Sequence, residues 1–248
     1  MQITTTQKTE LRDNGFLFLE GAVAPELVNR ALQAINHRMG EGIPTELLSS
    51  YAQRSFFPEI REGEIITDLF NASTLRPTMQ ALLGEENVEN TDRGQLAIRF
   101  PLEVGTLPKE PGPHIDGLHS SHNGVPKGTL ASFTALVGVF LSDINSDYAG
   151  NLSVWPGSHL KMESYFRENG IQELLDGRMP KLDFGKPLQI KAKAGDAVIA
   201  HYQLLHGVTI NIAPMPRYAT FFRVTHPLHH ENRLECLTNL WLEWPGVH

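Results

Sequence analysis

Three residues of this sequence have side chains suited to binding one divalent metal ion. His114 and Asp116 are separated by a single residue, and on an extended strand residues i and i+2 point to the same face. An imidazole nitrogen and a carboxylate oxygen could therefore bind the same ion, with Ile115 directed into the opposite layer. His206 ends a short β-prone run and could complete a set of two imidazoles and one carboxylate. Such a set leaves three adjacent positions open on an octahedral Fe(II), enough for a bidentate co-substrate and O₂.

Zinc is the alternative metal for the same three side chains. Two histidines and one acidic residue also bind catalytic zinc. However, the sequence contains no H-E-x-x-H pattern, and no obvious general base accompanies the set. These two observations favour iron.

Arg217 follows His206 by eleven residues and lies just beyond the turn-forming segment 213–216. The two prolines of that segment predict a reversal between neighbouring strands. Arg217 would then lie beside Asn211, about 16 Å along the strand from His206 at ~3.3 Å per residue. A planar guanidinium there suits the distal carboxylate of a five-carbon dicarboxylate chelated by the metal. A surface salt bridge is the alternative role, but Phe221 shares the strand face of Arg217, which is not typical of a solvated face.

The elements that must position these side chains change in type near residue 95. Residues 24–39 carry apolar side chains at helical spacing, and a second helix is predicted over 73–83, before a glycine. Residues 49–64 show no clear period and predict a long loop or lid. Short β-prone runs follow from residue 96, interrupted by one helical stretch at 160–175.

This order predicts a mainly β fold, a β-sandwich or jelly roll with an N-terminal helical layer. No internal repeat or linker divides the chain, so a single domain over 1–248 is expected. Its helical layer should occupy about 1–94 and its jelly-roll core about 95–226.

Composition and charge exclude several classes of protein. The net charge is −7 with basic residues scattered along the chain, which gives no footprint for nucleic acid or an anionic membrane. Cys236 is the single cysteine, so a reducing compartment is expected. The polar N-terminus lacks the apolar segment of a signal peptide, and no apolar run is long enough to span a membrane. A cytoplasmic protein is therefore expected.

The order and spacing of these motifs resemble the phytanoyl-CoA dioxygenase-like family of Fe(II)/2-oxoglutarate-dependent oxygenases. The resemblance covers about residues 95–226 and includes segment 150–159 (GNLSVWPGSH), which is similar to that family's Gly-x-x-x-x-x-Pro-Gly-Ser-His turn. The resemblance implies a double-stranded β-helix (a cupin-like jelly roll) and a co-substrate role for 2-oxoglutarate. It also implies particular roles for four residues: iron ligation by His114, Asp116 and His206, and 2-oxoglutarate binding by Arg217.

Two positions bear on how far this family's chemistry carries over. Val208 stands where the family often has a serine that contacts the co-substrate, and Thr209 could supply that hydroxyl instead. The related halogenases have Gly or Ala at the position of Asp116, so that chloride can bind the iron. The carboxylate therefore favours hydroxylation of a small-molecule metabolite, with release of succinate and CO₂, over halogenation. Desaturation, cyclisation and epimerisation share the same early steps.

The remaining histidines are expected to have structural or loop roles. His159 lies in the Pro-Gly-Ser-His turn, and a structural role is favoured. His201 precedes His206 by five residues, which places the two on opposite faces of an ideal strand. The histidines after residue 225 are expected in loops.

Loops at the mouth of such a barrel usually determine substrate specificity. The candidates for substrate binding come from loop 117–129, the helical-layer loop and the strand of Arg217, namely His119, His122, Arg54, Phe57, Arg61 and Arg223. If one of these arginines faces the metal, a substrate that carries a carboxylate or phosphate is favoured. No basic cluster matches the polyphosphate of an acyl-CoA.

Two other functions stay open at the level of sequence. A jelly-roll metalloenzyme that does not use 2-oxoglutarate would keep the three metal ligands and give Arg217 no special task. A non-catalytic metal-binding protein on the same fold is the other alternative, although buried ligand side chains without a metal would be costly to retain. The sequence determines neither the substrate nor the oligomeric state.

Overall fold

A computed structural model describes residues 3–120 and 123–248 of the chain. The helices within these ranges are α1 (Thr5–Asn14), α2 (Pro25–Gly40), α3 (Leu48–Gln53), α4 (Glu64–Asn71), α5 (Leu75–Leu83), α6 (Ser158–Asn169), α7 (Gln172–Leu175) and α8 (His229–Asn232). The strands are β1 (Phe16–Leu19), β2 (Gln95–Arg99), β3 (Ala135–Phe140), β4 (Leu152–Val154), β5 (Leu188–Gln189), β6 (Ala197–His201), β7 (His206–Val208) and β8 (Arg217–Val224).

The N-terminal helices begin and end where local chemistry favours it. The Thr4 hydroxyl accepts a hydrogen bond from the Gln7 amide, and the Gln7 side chain accepts one from the Thr4 amide, which together form a capping box for α1. Gly15 ends α1 in the left-handed conformation, with φ of 82°. Helix α2 has Pro25 in its first turn. Its bounds lie within one residue of the predicted 24–39.

Two antiparallel sheets form the β part of the molecule. The larger has the strand order β1-β6-β3-β8-β2, and the smaller has β5-β4-β7. β1 pairs with β6 through residues 16–19, so the stretch predicted as a helical layer over 1–94 also contributes an edge strand. Strands make up only 17% of the chain. The prediction of a mainly β protein is therefore not confirmed, whereas paired antiparallel sheets beside N-terminal helices are observed.

The larger sheet separates two hydrophobic cores. Val137 and its neighbours at odd positions of β3 pack with the helices in the first core. Leu136 and Phe140 face the smaller sheet in the second core. Every residue of β3 is buried, because both faces of the strand are covered. Gly138 leaves room for the ring of Phe221 on the neighbouring strand, where a Cβ atom would come within 2.8 Å of the ring. None of the helices in the described ranges has the length and apolar character needed to span a membrane.

Candidate metal centre

His114 and His206 are joined by an antiparallel bridge between a loop and strand β7. Each amide donates to the other residue's carbonyl, and both N···O distances are 3.0 Å. The bridge extends the smaller sheet beyond β7 and places the two imidazole rings 4.6 Å apart, centroid to centroid. The His206 side chain is 10% exposed, while that of His114 is 49% exposed. One ligand is thus held in the interior and the other at the rim.

Asp116 completes the set from the turn that follows His114. Its Oδ1 lies 3.8 Å from His114 Nε2 and 3.7 Å from His206 Nε2. The Tyr202 hydroxyl donates to the Asp116 carbonyl at 2.9 Å and fixes the backbone. Ile115 points away into the second core, as the spacing predicts. The segment is a single bridge and a turn rather than a regular strand, yet the alternation of side chains is retained.

The turn that carries Asp116 requires glycine at the next position. Gly117 has φ of 77°, and a Cβ atom there would overlap the backbone of Ala131. The Gly117 carbonyl in turn accepts a hydrogen bond from the Ala131 amide at 3.0 Å. This close approach of two loop segments positions the carboxylate.

The electrostatics of Asp116 and His114 favour the forms that bind a metal. Burial alone would raise the pKa of Asp116, but contacts with His206 and Arg223 hold it well below its ordinary value. Arg223 Nη2 lies 2.6 Å, and its Nε 3.1 Å, from Asp116 Oδ2, so Oδ1 is left facing the imidazoles. Burial and then the neighbouring His206 lower the pKa of His114. A charged carboxylate and a neutral imidazole are the forms that bind a divalent cation.

The three side chains open into a cavity of about 350 Å³, which we call the metal cavity. Its apolar wall includes Leu136, Leu152, Val208 and Phe221. Arg99 also lines the metal cavity with a cationic side chain, although the sequence pattern does not indicate it as a site residue. An apolar wall with a few convergent polar groups is typical of a small-molecule site.

Arg217 is not among the residues that line the metal cavity, but it is the strand neighbour of Arg99, and we call these two residues the arginine pair. They are directly opposed in the antiparallel register of β2 and β8. Arg217 Nε donates to the Gly150 carbonyl at 2.7 Å and Nη1 to the Ala97 carbonyl at 2.8 Å. Its Nη2 is buried and has no hydrogen-bond partner among the described residues. Burial, and then the charge of Arg99, lowers the pKa of Arg217 to about 9.

The predicted reversal after β7 is wrong in one respect. β7 belongs to the smaller sheet and β8 to the larger, so the turn at 213–216 carries the chain from one sheet to the other. The strand neighbour of Arg217 is therefore Arg99. Asn211 instead binds the Arg99 and Met215 carbonyls through its side chain, at 2.8 and 2.9 Å.

Gly150, the first residue of the motif GNLSVWPGSH, packs against both members of the arginine pair. A Cβ atom at Gly150 would lie 2.8 Å from Arg99 Cβ and 3.2 Å from Arg217 Cβ, and φ is 73°. The glycine is therefore required for the arginine pair to approach the carbonyl that binds Arg217.

The structure does not bring Thr209 to the metal cavity. Thr209 is buried, and its hydroxyl accepts a hydrogen bond from the Asn151 amide at 2.8 Å. Val208, the residue before it, lines the cavity instead. The expected contact of Thr209 with a co-substrate thus has no support in the geometry.

The substrate candidates divide into two groups. Arg54, Arg61 and Arg223 line a second cavity, of about 530 Å³, which adjoins the metal cavity. His119 lines neither of these cavities. Its Nδ1 instead binds the Val125 carbonyl of its own loop at 2.6 Å. Phe57 is buried in the first core. His122 lies outside the described residues.

Two further histidines are structural, as the sequence predicts. His159 Nε2 binds the Arg12 carbonyl, and His201 Nε2 binds the Leu240 carbonyl, both at 2.9 Å. Both rings are buried; they contact each other at a tilt and meet the Trp241 ring edge to face. Burial lowers the pKa of His159 to about 4 and that of His201 to about 3.

The expectation of loop histidines at the C-terminus is wrong for His229 and His230, which begin the short helix α8. His229 is buried. Its Nδ1 lies 2.9 Å from Glu243 Oε2, and its Nε2 lies 2.9 Å from the Ser132 hydroxyl. Thr134 donates to the same carboxylate oxygen at 2.6 Å. The cluster attaches the C-terminal segment to the start of β3.

Comparisons with known proteins agree with this geometry. The phytanoyl-CoA dioxygenase family model matches residues 11–219, whereas a search of curated protein sequences returned no significant match.

Three similar solved structures are non-haem enzymes, or enzymes determined with 2-oxoglutarate bound. The non-heme monooxygenase ThoJ, in a nickel complex, is 19% identical with a TM-score of 0.59, covering 89% of this chain and 77% of that one. HygX from Streptomyces hygroscopicus, with nickel and 2-oxoglutarate bound, is 17% identical with a TM-score of 0.57 and coverage of 91% and 88%. EctD from S. alaskensis, with 2-oxoglutarate and 5-hydroxyectoine, is 19% identical with a TM-score of 0.57 and coverage of 90% and 76%.

At these identities the solved structures show a shared fold. The family match covers most of the chain, including His114, Asp116, His206 and Arg217. This chain belongs to the phytanoyl-CoA dioxygenase family.

Proposed function

We propose that the protein is an Fe(II)- and 2-oxoglutarate-dependent oxygenase that hydroxylates a small-molecule metabolite and releases succinate and CO₂. The observation that carries the proposal is the position of the arginine pair. The Arg99 guanidinium lines the cavity that contains two imidazoles and a carboxylate, and its strand neighbour is the buried Arg217, whose Nη2 has no partner among the described residues.

The donor set fits iron. The candidate ligand atoms of His114, Asp116 and His206 lie within 4.8 Å of one another, and two histidines with one carboxylate are the facial ligands of non-haem Fe(II) oxygenases. Bound Fe(II) and 2-oxoglutarate would supply the oxidising chemistry. Asp116 supports hydroxylation over halogenation, because a carboxylate occupies the position that a halide ligand would need.

The arginine pair fits a dicarboxylate. Buried cations are ordinarily paired, yet neither arginine has a salt bridge with any residue in the described ranges. A carboxylate would accept hydrogen bonds from Arg217 Nη2 and from the Arg99 guanidinium, and would relieve the repulsion between them. Arg217 is held for this task by the two backbone carbonyls that bind Nε and Nη1.

The other cavity residues exclude water and hold the ligands. Leu136, Leu152 and Phe221 form an apolar wall that lowers the local dielectric constant and strengthens each charge interaction inside. Arg223 keeps Asp116 Oδ2 occupied, so one oxygen of the carboxylate remains for a metal. Such supporting contacts commonly change metal affinity by about 10–100-fold.

Anaerobic titration tests the proposal. The purified protein receives Fe(II) and then 2-oxoglutarate without oxygen, and the visible absorption spectrum is recorded. We expect a weak charge-transfer band in the wild-type protein, no band in His206→Ala, and a shift to higher 2-oxoglutarate concentrations in Arg217→Ala. Arg38→Ala, a substitution in a surface ion pair, is the matched control and should behave as the wild type. Bound iron without a band would count against the proposal.

A second assay identifies the substrate and separates the alternatives. Succinate release is measured with small acids, amino acids, phosphates and neutral compounds, and stimulation by one class indicates the substrate. A metalloenzyme that does not use 2-oxoglutarate would bind iron and convert a compound to product without releasing succinate. A non-catalytic binding protein would release no succinate and form no product from any compound.

A further inference from the structure

The second cavity, which we call the arginine cavity, meets the metal cavity at Arg223. Gln95, Phe221 and Arg223 line both cavities. The arginine cavity extends from there between the ends of β2 and β8 and the segments 54–61 and 89–94. A molecule with one end at the metal could therefore reach past Arg223 into this space.

The lining of the arginine cavity is cationic. It contains the four guanidinium groups of Arg54, Arg61, Arg93 and Arg223, and the carboxylates of Glu89 and Asp92. Both oxygens of Asp92 are bound by Arg93, at 3.1 and 2.7 Å. Among the lining residues the guanidinium groups outnumber the carboxylates, although Glu62 and Asp116, which do not line the cavity, contact Arg61 and Arg223 from outside it.

Arg61 has a buried donor that no group of the described chain satisfies. Its Nη2 lies 3.2 Å from an oxygen of Glu62, which is 56% exposed. Its Nε is buried and has no hydrogen-bond partner within residues 3–120 and 123–248. A buried N–H without an acceptor is costly, and an anionic ligand would provide the acceptor.

Arg223 is fixed so that one edge of its guanidinium remains for a ligand. Nε and Nη2 bind Asp116 Oδ2, and the group lies over the ring of Phe133, 5.6 Å from its centroid. No hydrogen bond of Nη1 is seen among the described residues. The same residue therefore contacts a metal ligand on one side and the junction of the two cavities on the other.

The cavity is unsuited to a hydrocarbon chain. Phe221 and Val224 are its large apolar lining residues, and they occupy one side. A long alkyl group would displace water from polar side chains without replacing their hydrogen bonds. The lining thus favours a compact polar ligand.

From these observations we infer that the arginine cavity binds a terminal oxyanion of the substrate, a carboxylate or a phosphate, and that the oxidised part of the substrate extends past Arg223 into the metal cavity. The assignment of the anion to a substrate rests on the proposed function. Binding of an anion by Arg61 and Arg223 does not depend on that function.

Isothermal titration calorimetry at low ionic strength tests the inference with inorganic phosphate and, separately, acetate. The protein is used without added metal. We expect saturable binding of at least one of the two anions. Tighter binding of phosphate would assign a terminal phosphate to the substrate, and tighter binding of acetate would assign a terminal carboxylate. Arg61→Gln keeps much of the side-chain volume but removes the charge, so the dissociation constant should rise by about tenfold. The double variant Arg61→Gln/Arg223→Gln should lose saturable binding.

Control variants locate the anion. Arg38→Gln, on the surface, should bind within about twofold of wild type, and the effect of Arg61→Gln should persist in an Arg217→Ala background, in which the arginine pair cannot bind the anion. If Arg61→Gln is unstable, Arg93→Gln gives a second test at an exposed position, with an expected weakening of about threefold. Absence of saturable binding, binding unchanged in Arg61→Gln and the double variant, or an effect of Arg61→Gln that disappears in the Arg217→Ala background would each overturn the inference. Anion binding without the charge-transfer band would instead contradict the proposed function alone.

Discussion

Arg99 and Arg217 are opposite partners in the antiparallel register of β2 and β8, so the buried Arg217 has a second, half-buried arginine as its strand neighbour. No carboxylate in the described ranges lies within 4.0 Å of either group. The lowered pKa of Arg217, caused by burial and then by Arg99, shows that this arrangement is unfavourable without an anion. Binding of a dicarboxylate should therefore stabilise the fold.

Arg217→Ala should abolish stabilisation of the protein by 2-oxoglutarate. A ligand at about 100 times its dissociation constant adds about 2.7 kcal/mol to the free energy of unfolding, which raises Tm by roughly 5–10 °C in a chain of this size. We expect that shift in wild type and in Arg38→Ala, and almost none in Arg217→Ala. The measurement is thermal unfolding with and without 2-oxoglutarate. An equal shift in all three proteins would place the co-substrate elsewhere.

Arg223→Gln should weaken metal binding by about tenfold. The substitution removes the two hydrogen bonds that hold Asp116 Oδ2, and the carboxylate can then rotate away from the imidazoles. Competition with a metal indicator measures the affinity for Fe(II) under anaerobic conditions. Arg93→Gln, in a neighbouring surface ion pair, should keep the wild-type affinity. Unchanged metal affinity in Arg223→Gln would remove the positioning role of this residue.

Thr209→Val should leave the affinity for 2-oxoglutarate within about twofold of wild type. The Thr209 hydroxyl is bound to the Asn151 amide, so its loss should lower the free energy of unfolding by about 1–2 kcal/mol instead. Urea denaturation and co-substrate titration measure the two effects separately. A large loss of affinity with unchanged stability would restore Thr209 as a co-substrate residue.

Acid should destabilise the protein through its buried neutral histidines. The pKa of His159 falls from an ordinary 6.5 to about 4 on folding, so the unfolded chain binds the proton more readily. Stability is therefore fully present above pH 6.5 and is lost as the pH falls towards 4. At about 1.4 kcal/mol per pKa unit, His159 alone contributes at most about 3.5 kcal/mol to this loss.

Urea denaturation of His159→Gln across this pH range checks the sign. The glutamine amide can still donate to the Arg12 carbonyl but does not titrate, so the variant should lose less stability between pH 7 and pH 5. His37→Gln, whose histidine side chain is 75% exposed, should retain the wild-type dependence. An unaltered pH profile in His159→Gln would contradict the burial argument.

Glu243→Gln should destabilise the fold by about 3 kcal/mol, because it breaks a buried charged contact. Glu243 accepts a hydrogen bond from Thr134 and contacts His229. Burial alone would raise the pKa of Glu243, but these contacts outweigh it and lower the pKa. Chemical denaturation near neutral pH measures the loss, with the exposed Glu20→Gln as control. Equal stability of the two variants would show that the cluster contributes little.

The metal centre could be predicted from the sequence because its geometry is largely local. The i, i+2 spacing of His114 and Asp116 places both side chains on one side of an extended segment, whether or not that segment belongs to a regular strand. The five-residue offset places His201 and His206 on opposite faces, and His206 is preferred because Gly207 and Arg217 follow it in the register of the family that the sequence resembles. The structure places His201 among tryptophans and His206 beside Asp116.

The arginine pair could not be predicted in full because it depends on the long-range register of two strands. Arg99 faces Arg217 only through the pairing of β2 with β8, and nothing near Arg99 in the chain indicates that pairing. For the same reason the prolines at 213–216 predict a turn between neighbouring strands, whereas this turn joins strands of two different sheets. β1 was missed because four residues within a helical stretch carry little periodic signal.

The two reciprocal backbone hydrogen bonds between His114 and His206 also allow the opening of the metal centre to be measured without a bound metal. Each of these two amide protons is protected from exchange with solvent by the other residue's carbonyl, so both exchange only when the bridge opens. Opening separates two ligands in a single event, and loss of the site should therefore be all-or-none rather than gradual. The deuteration rate of these two amides therefore reports how often the bridge between His114 and His206 opens.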